Sequence, residues 1–209
     1  MKWYYYVIGG IVFLAIGGLV LYGVLTHKEQ GLMNICWENG IIKHYDDPIK
    51  SPHPECKQNV QWDKDQLPLT VFMDLGKDHE IYRDSIVKAM GMWNSEVGPM
   101  FVPVTDKSKA SVVVSWGTVS NKDHIDGYTV HHGDDGKILG ADVVLSEPSD
   151  LHAIFRYAAH ELGHVLGLAH DESGLMRISA PGATEKLEFV LPSDYDKSLL
   201  KELYFGDGR

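Results

Sequence analysis

The sequence predicts an α/β (α+β) fold, a sheet packed against helices, and two observations carry that reading. Between residues 69 and 204, short β-branched or alternating runs and helical periodicities follow one another in the order β-α-β-β-β-β-α-α. The longest helical stretch is apolar along one side only, so another layer must cover it. A chain of 209 residues suits one globular domain plus an appendage.

The elements follow in chain order. LTVFM (69–73) alternates as a short strand, and 79–97 sets Tyr82, Ile86, Ala89, Met90, Trp93 and Val97 on one helical stripe. FVPV (101–104) and SVVVSW (111–116) read as strands, the second rich in β-branched residues as buried strands are. GYTVHH and ILGADVVLS, on either side of a Gly133 to Gly136 turn, give two more. A long helix is expected from about Ser149 to Gly167, and SDYDKSLLKELY (193–204), with Ser193 as its N-cap, makes the last.

Upstream, WYYYVIGGIVFLAIGGLVLYGVL (3–25) carries no charge. At about 1.5 Å per residue it reaches roughly 34 Å, enough to cross a hydrocarbon core of about 30 Å. It is expected to be an N-terminal transmembrane helix, tied to the lipid bilayer by Trp3 to Tyr6 and Tyr22 near its ends. The run exceeds the roughly 7 to 15 residues of a signal-peptide core, and no A-x-A-like cleavage site follows it. Lys2 and the α-amino group, set against Lys28, lean the C-terminal domain to the extracytoplasmic side.

Residues 26–66 mix Pro48, Pro52 and Pro54 with both cysteines and show no sustained period, so a loop-rich stalk is expected there, with the compact domain over 67–209. Cys36 and Cys56 fit a disulfide in an oxidising compartment, or else two unrelated thiols, and neither has the spacing of a thiolate zinc site. A net charge of -10 supplies no basic stripe, which excludes nucleic acid as an expected partner. Oligomeric state leaves no mark on the sequence.

HELGHVLGLAHD (160–171) carries the chemistry. With His160 at zero and about 100° per residue, His164 falls near 40°, Tyr157 near 60° and Glu161 near 100°. Leu151, Ile154, Phe155, Ala158, Leu162, Val165 and Leu166 fall between about 120° and 240°, a core-facing stripe. His170 lies about 240° round from His164, so it reaches the same metal only if the helix stops. Gly167 supplies that stop, since glycine adopts the left-handed conformation without a Cβ clash.

Three neutral imidazoles then bind Zn²⁺ and leave a fourth position open, as a catalytic zinc site requires. Glu161 is placed as general base towards a water that the metal acidifies. Shuffling a chain of this composition yields HExxHxxGxxH on the order of once in ten thousand chains, which disfavours a merely histidine-rich surface helix.

With those residues, the sequence resembles the metzincin zinc endopeptidases, and Asp171 after the third histidine is similar to the matrixin branch, the catalytic-domain type of matrix metalloproteinases. RDSIVKAMGMWNSEVGPMFVPVTD, ASVVVSW and LPSDYDKSLLKELYFG resemble the first helix with its strands and the closing helix of that domain. The resemblance implies a twisted mixed sheet packed on two helices, with a C-terminal helix. It also implies that Met176, in SGLMR, forms a hydrophobic floor beneath the zinc, as structural support and not as a ligand.

An edge strand that binds a protein or peptide substrate in extended form is implied as well, and GYTVHH (127–132) occupies its place. His131 and His132 read as solvated residues near a turn. Arg177 stands where the family usually carries an aromatic residue. His124 and Asp126 match half of a second zinc site, but Asp142 replaces a histidine expected there. Asp134, Asp135 and Gly136 fit a Ca²⁺ site or an Asp-Gly turn equally well, so no calcium residues are assigned.

The expected function is a membrane-anchored zinc-dependent metalloendopeptidase that hydrolyses internal peptide bonds. The alternative is a catalytically silent tethered peptide-binding domain with a structural zinc, which would bind zinc and peptide and cleave nothing.

Overall fold

The computed structural model describes residues 34–38, 41–45, 61–117, 127–134, 137–147, 151–170, 174–177 and 191–206. Strands β1 (Asn34–Glu38) and β2 (Ile41–Tyr45) pair antiparallel, with Cys36 opposite Lys43. The main sheet begins with β3 (Leu69–Asp74), and helix α1 (Arg83–Glu96) leads to β4 (Phe101–Val104). Then come β5 (Val112–Trp116), β6 (Gly127–Asp134) and β7 (Lys137–Leu145), followed by helices α2 (Leu151–Val165) and α3 (Asp194–Phe205).

The five strands are ordered β4-β3-β5-β7-β6. Every pairing is parallel except that of β6 with β7, which is antiparallel with a bulge between His132 and Gly133. A mixed sheet with β6 at one edge results. Leu69, Val71 and Met73 of β3, Val112 and Val114 of β5, and Val143 and Leu145 of β7 are buried in the core with α1 and α2. Their strict alternation along each strand is what a sheet covered on one face demands.

Helix α1 buries Ile86, Ala89, Met90, Met92 and Trp93, with Val97 at its cap also buried and Tyr82 packed beside the core. The expected helix over 79–97 differs at its start. Glu80–Tyr82 forms a 3₁₀ turn, closed by Tyr82 N–H donating to the His79 carbonyl at 3.0 Å, before α1 proper. No side chain caps α1, so the tighter turn precedes it. Trp93 Nε1 donates to the Ala159 carbonyl at 2.9 Å and so ties α1 to α2. Ser193 is the N-cap of α3 as expected, in a reciprocal capping box with Asp196.

The loop-rich reading of 26–66 is corrected in part. Residues 34–38 and 41–45 pair as antiparallel strands, with β2 against β6, and Ile35 of β1 is buried in the core. Asn39-Gly40 between the two runs is itself a hairpin signal, masked by the surrounding prolines and charges. The compact domain also begins earlier than residue 67. Trp62 is buried, and its Nε1 donates to the Val165 carbonyl at 2.7 Å.

The apolar segment 3–25 and Cys56 lie outside the described residues. Among the described residues, no helix is long and apolar enough to cross a membrane.

Candidate functional site

The site forms where α2 ends. Ile154, Ala158, Leu162, Val165 and Leu166 are buried in the core, as the helical wheel requires, and Phe155 packs against it. The backbone then turns at Gly167, whose φ of +93° lies in the region that glycine alone tolerates freely. Gly167 N–H donates to the His164 carbonyl at 2.8 Å and Leu168 N–H to the Gly163 carbonyl at 3.1 Å. That pair of bonds is the Schellman arrangement, and it satisfies carbonyls the helix end would otherwise leave open.

The turn brings the third histidine back. His160 Nε2 and His164 Nε2 lie 3.1 Å apart, and His164 Nε2 and His170 Nε2 lie 3.2 Å apart. All three ligand atoms fall within 4.8 Å of one another. The rings of His160 and His164 are nearly perpendicular, as are those of His164 and His170. Nitrogens about 2.0 to 2.1 Å from a tetrahedral zinc would be about 3.3 Å apart, so the donor set fits the ion in type and spacing.

The other ring nitrogens fix the chemistry. His160 Nδ1 lies 2.8 Å from the Leu175 carbonyl, and His164 Nδ1 lies 2.8 Å from the Leu168 carbonyl. A carbonyl only accepts, so each Nδ1 carries the proton and each Nε2 presents a lone pair. Two lone pairs at 3.1 Å cannot hydrogen-bond to each other; a cation between them resolves the repulsion.

Met176 follows the carbonyl that orients His160, and it is fully buried. Its thioether lies under α2 at Gly163, where a Cβ would come within 2.4 Å of Sδ and 3.1 Å of Trp93 Cζ2. Gly163 is therefore a close-approach residue, invisible from helical periodicity because its neighbour arrives from thirteen residues downstream. Met176 thus packs against α2 one residue before His164.

Glu161 is buried between α2 and β6. Thr129 Oγ1 lies 2.8 Å from its Oε2 and 3.1 Å from its backbone carbonyl. A Cβ at Gly127 would sit 2.9 Å from the Val144 carbonyl oxygen, 3.0 Å from Glu161 Cγ and 3.2 Å from its Oε1, so the glycine gives room both to the neighbouring strand and to the carboxylate. Neither Gly127 nor Thr129 stands out as a site residue in the sequence. The available signal was a threonine on the buried phase of a period-two strand, two residues after a glycine.

His131 is buried, not solvated: its Nε2 donates to the Val165 carbonyl at 3.0 Å, beside the Trp62 ring. The strand alternation that buries Thr129 buries His131 as well. His132 takes the opposite face, half exposed, with its Nε2 2.7 Å from Asp142 Oδ2. Tyr204 of α3 donates to the Leu166 carbonyl at 2.9 Å, and burial pushes its phenol above the ordinary tyrosine value. Asp134 is exposed at the end of β6. His124, Asp126, Asp135, Gly136 and Asp171 lie outside the described residues.

A family model described as Matrixin matches residues 61–205. Among curated proteins, interstitial collagenase A of Mus musculus is 29% identical over 171 residues, which is 75% of this chain and 36% of that protein. Interstitial collagenase of Oryctolagus cuniculus is 31% identical over 98 residues, 42% of this chain and 21% of that protein. The chain thus spans well under half the length of these relatives.

Proposed function

The chain belongs to the matrixin family, and from that premise we propose that it is a membrane-anchored zinc metalloendopeptidase acting on internal peptide bonds of extended protein segments. The observation that carries this reading is the convergence of His160, His164 and His170 Nε2 with the buried Glu161 beside the first of them. Zinc held by those nitrogens supplies Lewis acidity towards a water and towards the scissile carbonyl.

The chain's own residues do the rest. Glu161 takes the proton of the attacking water at its carboxylate and returns it to the leaving nitrogen, which a neutral amine requires. The backbone of β6, at the edge of the sheet, suits an extended substrate because main-chain hydrogen bonds ask for no particular side chain. The uncharged run 3–25 supports the anchor, and a Cys36–Cys56 bond would agree with a domain on the extracytoplasmic side.

Glu161→Ala tests the mechanism. We expect the variant of the full chain to keep one zinc per protein and to lose chelator-sensitive cleavage of a denatured-protein or peptide library. Undiminished cleavage by that variant would sink the assignment of the base, and a zinc-loaded parent that cleaves nothing would sink the peptidase.

A further inference from the structure

We infer that Thr129 is the positioning residue for Glu161: its hydroxyl fixes the carboxylate from the edge strand, so that the base is held ready to meet the attacking water. The inference rests on the endopeptidase reading and adds to it a residue outside the HELGHVLGLAHD motif.

Geometry carries it. Thr129 and Gly127 share the inward face of β6, two residues apart, and both meet Glu161. Gly127 removes the Cβ that would crowd Glu161 Cγ and Oε1, while Thr129 Oγ1 reaches Oε2 at 2.8 Å. The hydroxyl has one proton and two acceptors within reach, Oε2 at 2.8 Å and the Glu161 carbonyl at 3.1 Å. An ionised carboxylate is the stronger acceptor and the nearer one, so the proton goes there.

The choice of residue matters. A β-branched side chain in a strand is stiff about χ1, so the hydroxyl is already aimed before any substrate arrives. Glutamate has three rotatable bonds, and a carboxylate 4% exposed needs a donor to stay buried as an anion. One bond to Oε2 sets the plane of the carboxylate and, with it, the direction of the second oxygen. Misplacing a base by an ångström can lower a rate by on the order of a hundredfold.

The test uses Thr129→Val, Thr129→Ala and Thr129→Ser in the full chain, with steady-state kinetics on one peptide, zinc content and thermal melting. Valine keeps the shape and loses the hydroxyl, so kcat should fall on the order of tenfold to a hundredfold with KM and zinc content unchanged. Serine and alanine differ by the hydroxyl alone, and serine should recover most of kcat where alanine does not; this pair decides the matter even if the valine variant melts early. Equal kcat in serine and alanine variants, or a loss confined to KM or zinc content, would overturn the positioning role alone. A zinc-loaded parent that cleaves no peptide would overturn the endopeptidase reading and this inference with it.

Discussion

At the scale of single residues, the site depends on two glycines, one within α2 and one in the turn that ends it, for different reasons. Gly163 is small because Met176 and Trp93 press on it, whereas a Cβ at Gly167 would meet only Ile35 Cδ1 at 4.0 Å, an ordinary contact. What Gly167 supplies is its φ of +93°, a conformation that costs a β-branched residue on the order of 1 to 3 kcal/mol. Gly167→Val should therefore relax by displacing Leu168 and His170, and so weaken zinc binding roughly tenfold to a hundredfold although no ligand is removed. Competition against a chelator of known affinity measures this, and unchanged affinity would show that His170 is placed by something other than the turn. The role of Gly167 was legible because the third histidine breaks the helical spacing right after it. That of Gly163 was not, since nothing local says which residue will arrive beneath it.

At the scale of elements, the end of α2 is held by donors from three separate parts of the chain. Trp62 and His131 of β6 share the Val165 carbonyl, and Tyr204 of α3 takes that of Leu166. A helix end buried in a core needs such partners, because each open carbonyl there is a desolvated acceptor. Tyr204→Phe leaves the Leu166 carbonyl without its donor and should destabilise the protein by about 1 to 3 kcal/mol at neutral pH, read from urea unfolding. The pH dependence follows from the burial of the phenol. Its folded pKa is raised above the ordinary value of 10.0, so the unfolded chain releases the proton first and stability falls as pH rises beyond that value. The phenylalanine variant should lose this share of the alkaline slope, and an identical slope would remove Tyr204 from the account. The five strands of the main sheet and the helices were legible from period and branching, as VVV in β5 and the apolar stripe of α2 show, whereas β1 and β2 were not. The burial of His131 was not, because a histidine pair beside a turn looks solvated until the sheet register assigns one of the two to the core.

At the scale of the whole molecule, the domain and the family match do not share a boundary. The match begins at residue 61, yet Ile35 of β1 is 2% exposed and lies beside Gly167, while β2 lies against β6. The hairpin of β1 and β2 therefore closes the core where the histidine-bearing turn and the edge strand meet. Two five-residue strands do not hold together in water by themselves, so the docked apolar side chain must contribute to their order, and they in turn shield the turn. A side chain buried this deeply in a well-packed core loses about 2 to 5 kcal/mol when cut to alanine. Ile35→Ala should show a loss of that size in chemical unfolding of the full chain. Because Ile35 lies beside the turn that carries His170, zinc affinity should fall with it, in contrast to a mutation on a mere linker, whose effect stays within about 0.5 kcal/mol. A variant that unfolds and binds zinc like its parent would place the boundary of the domain back at Trp62 and leave the hairpin outside the cooperative unit.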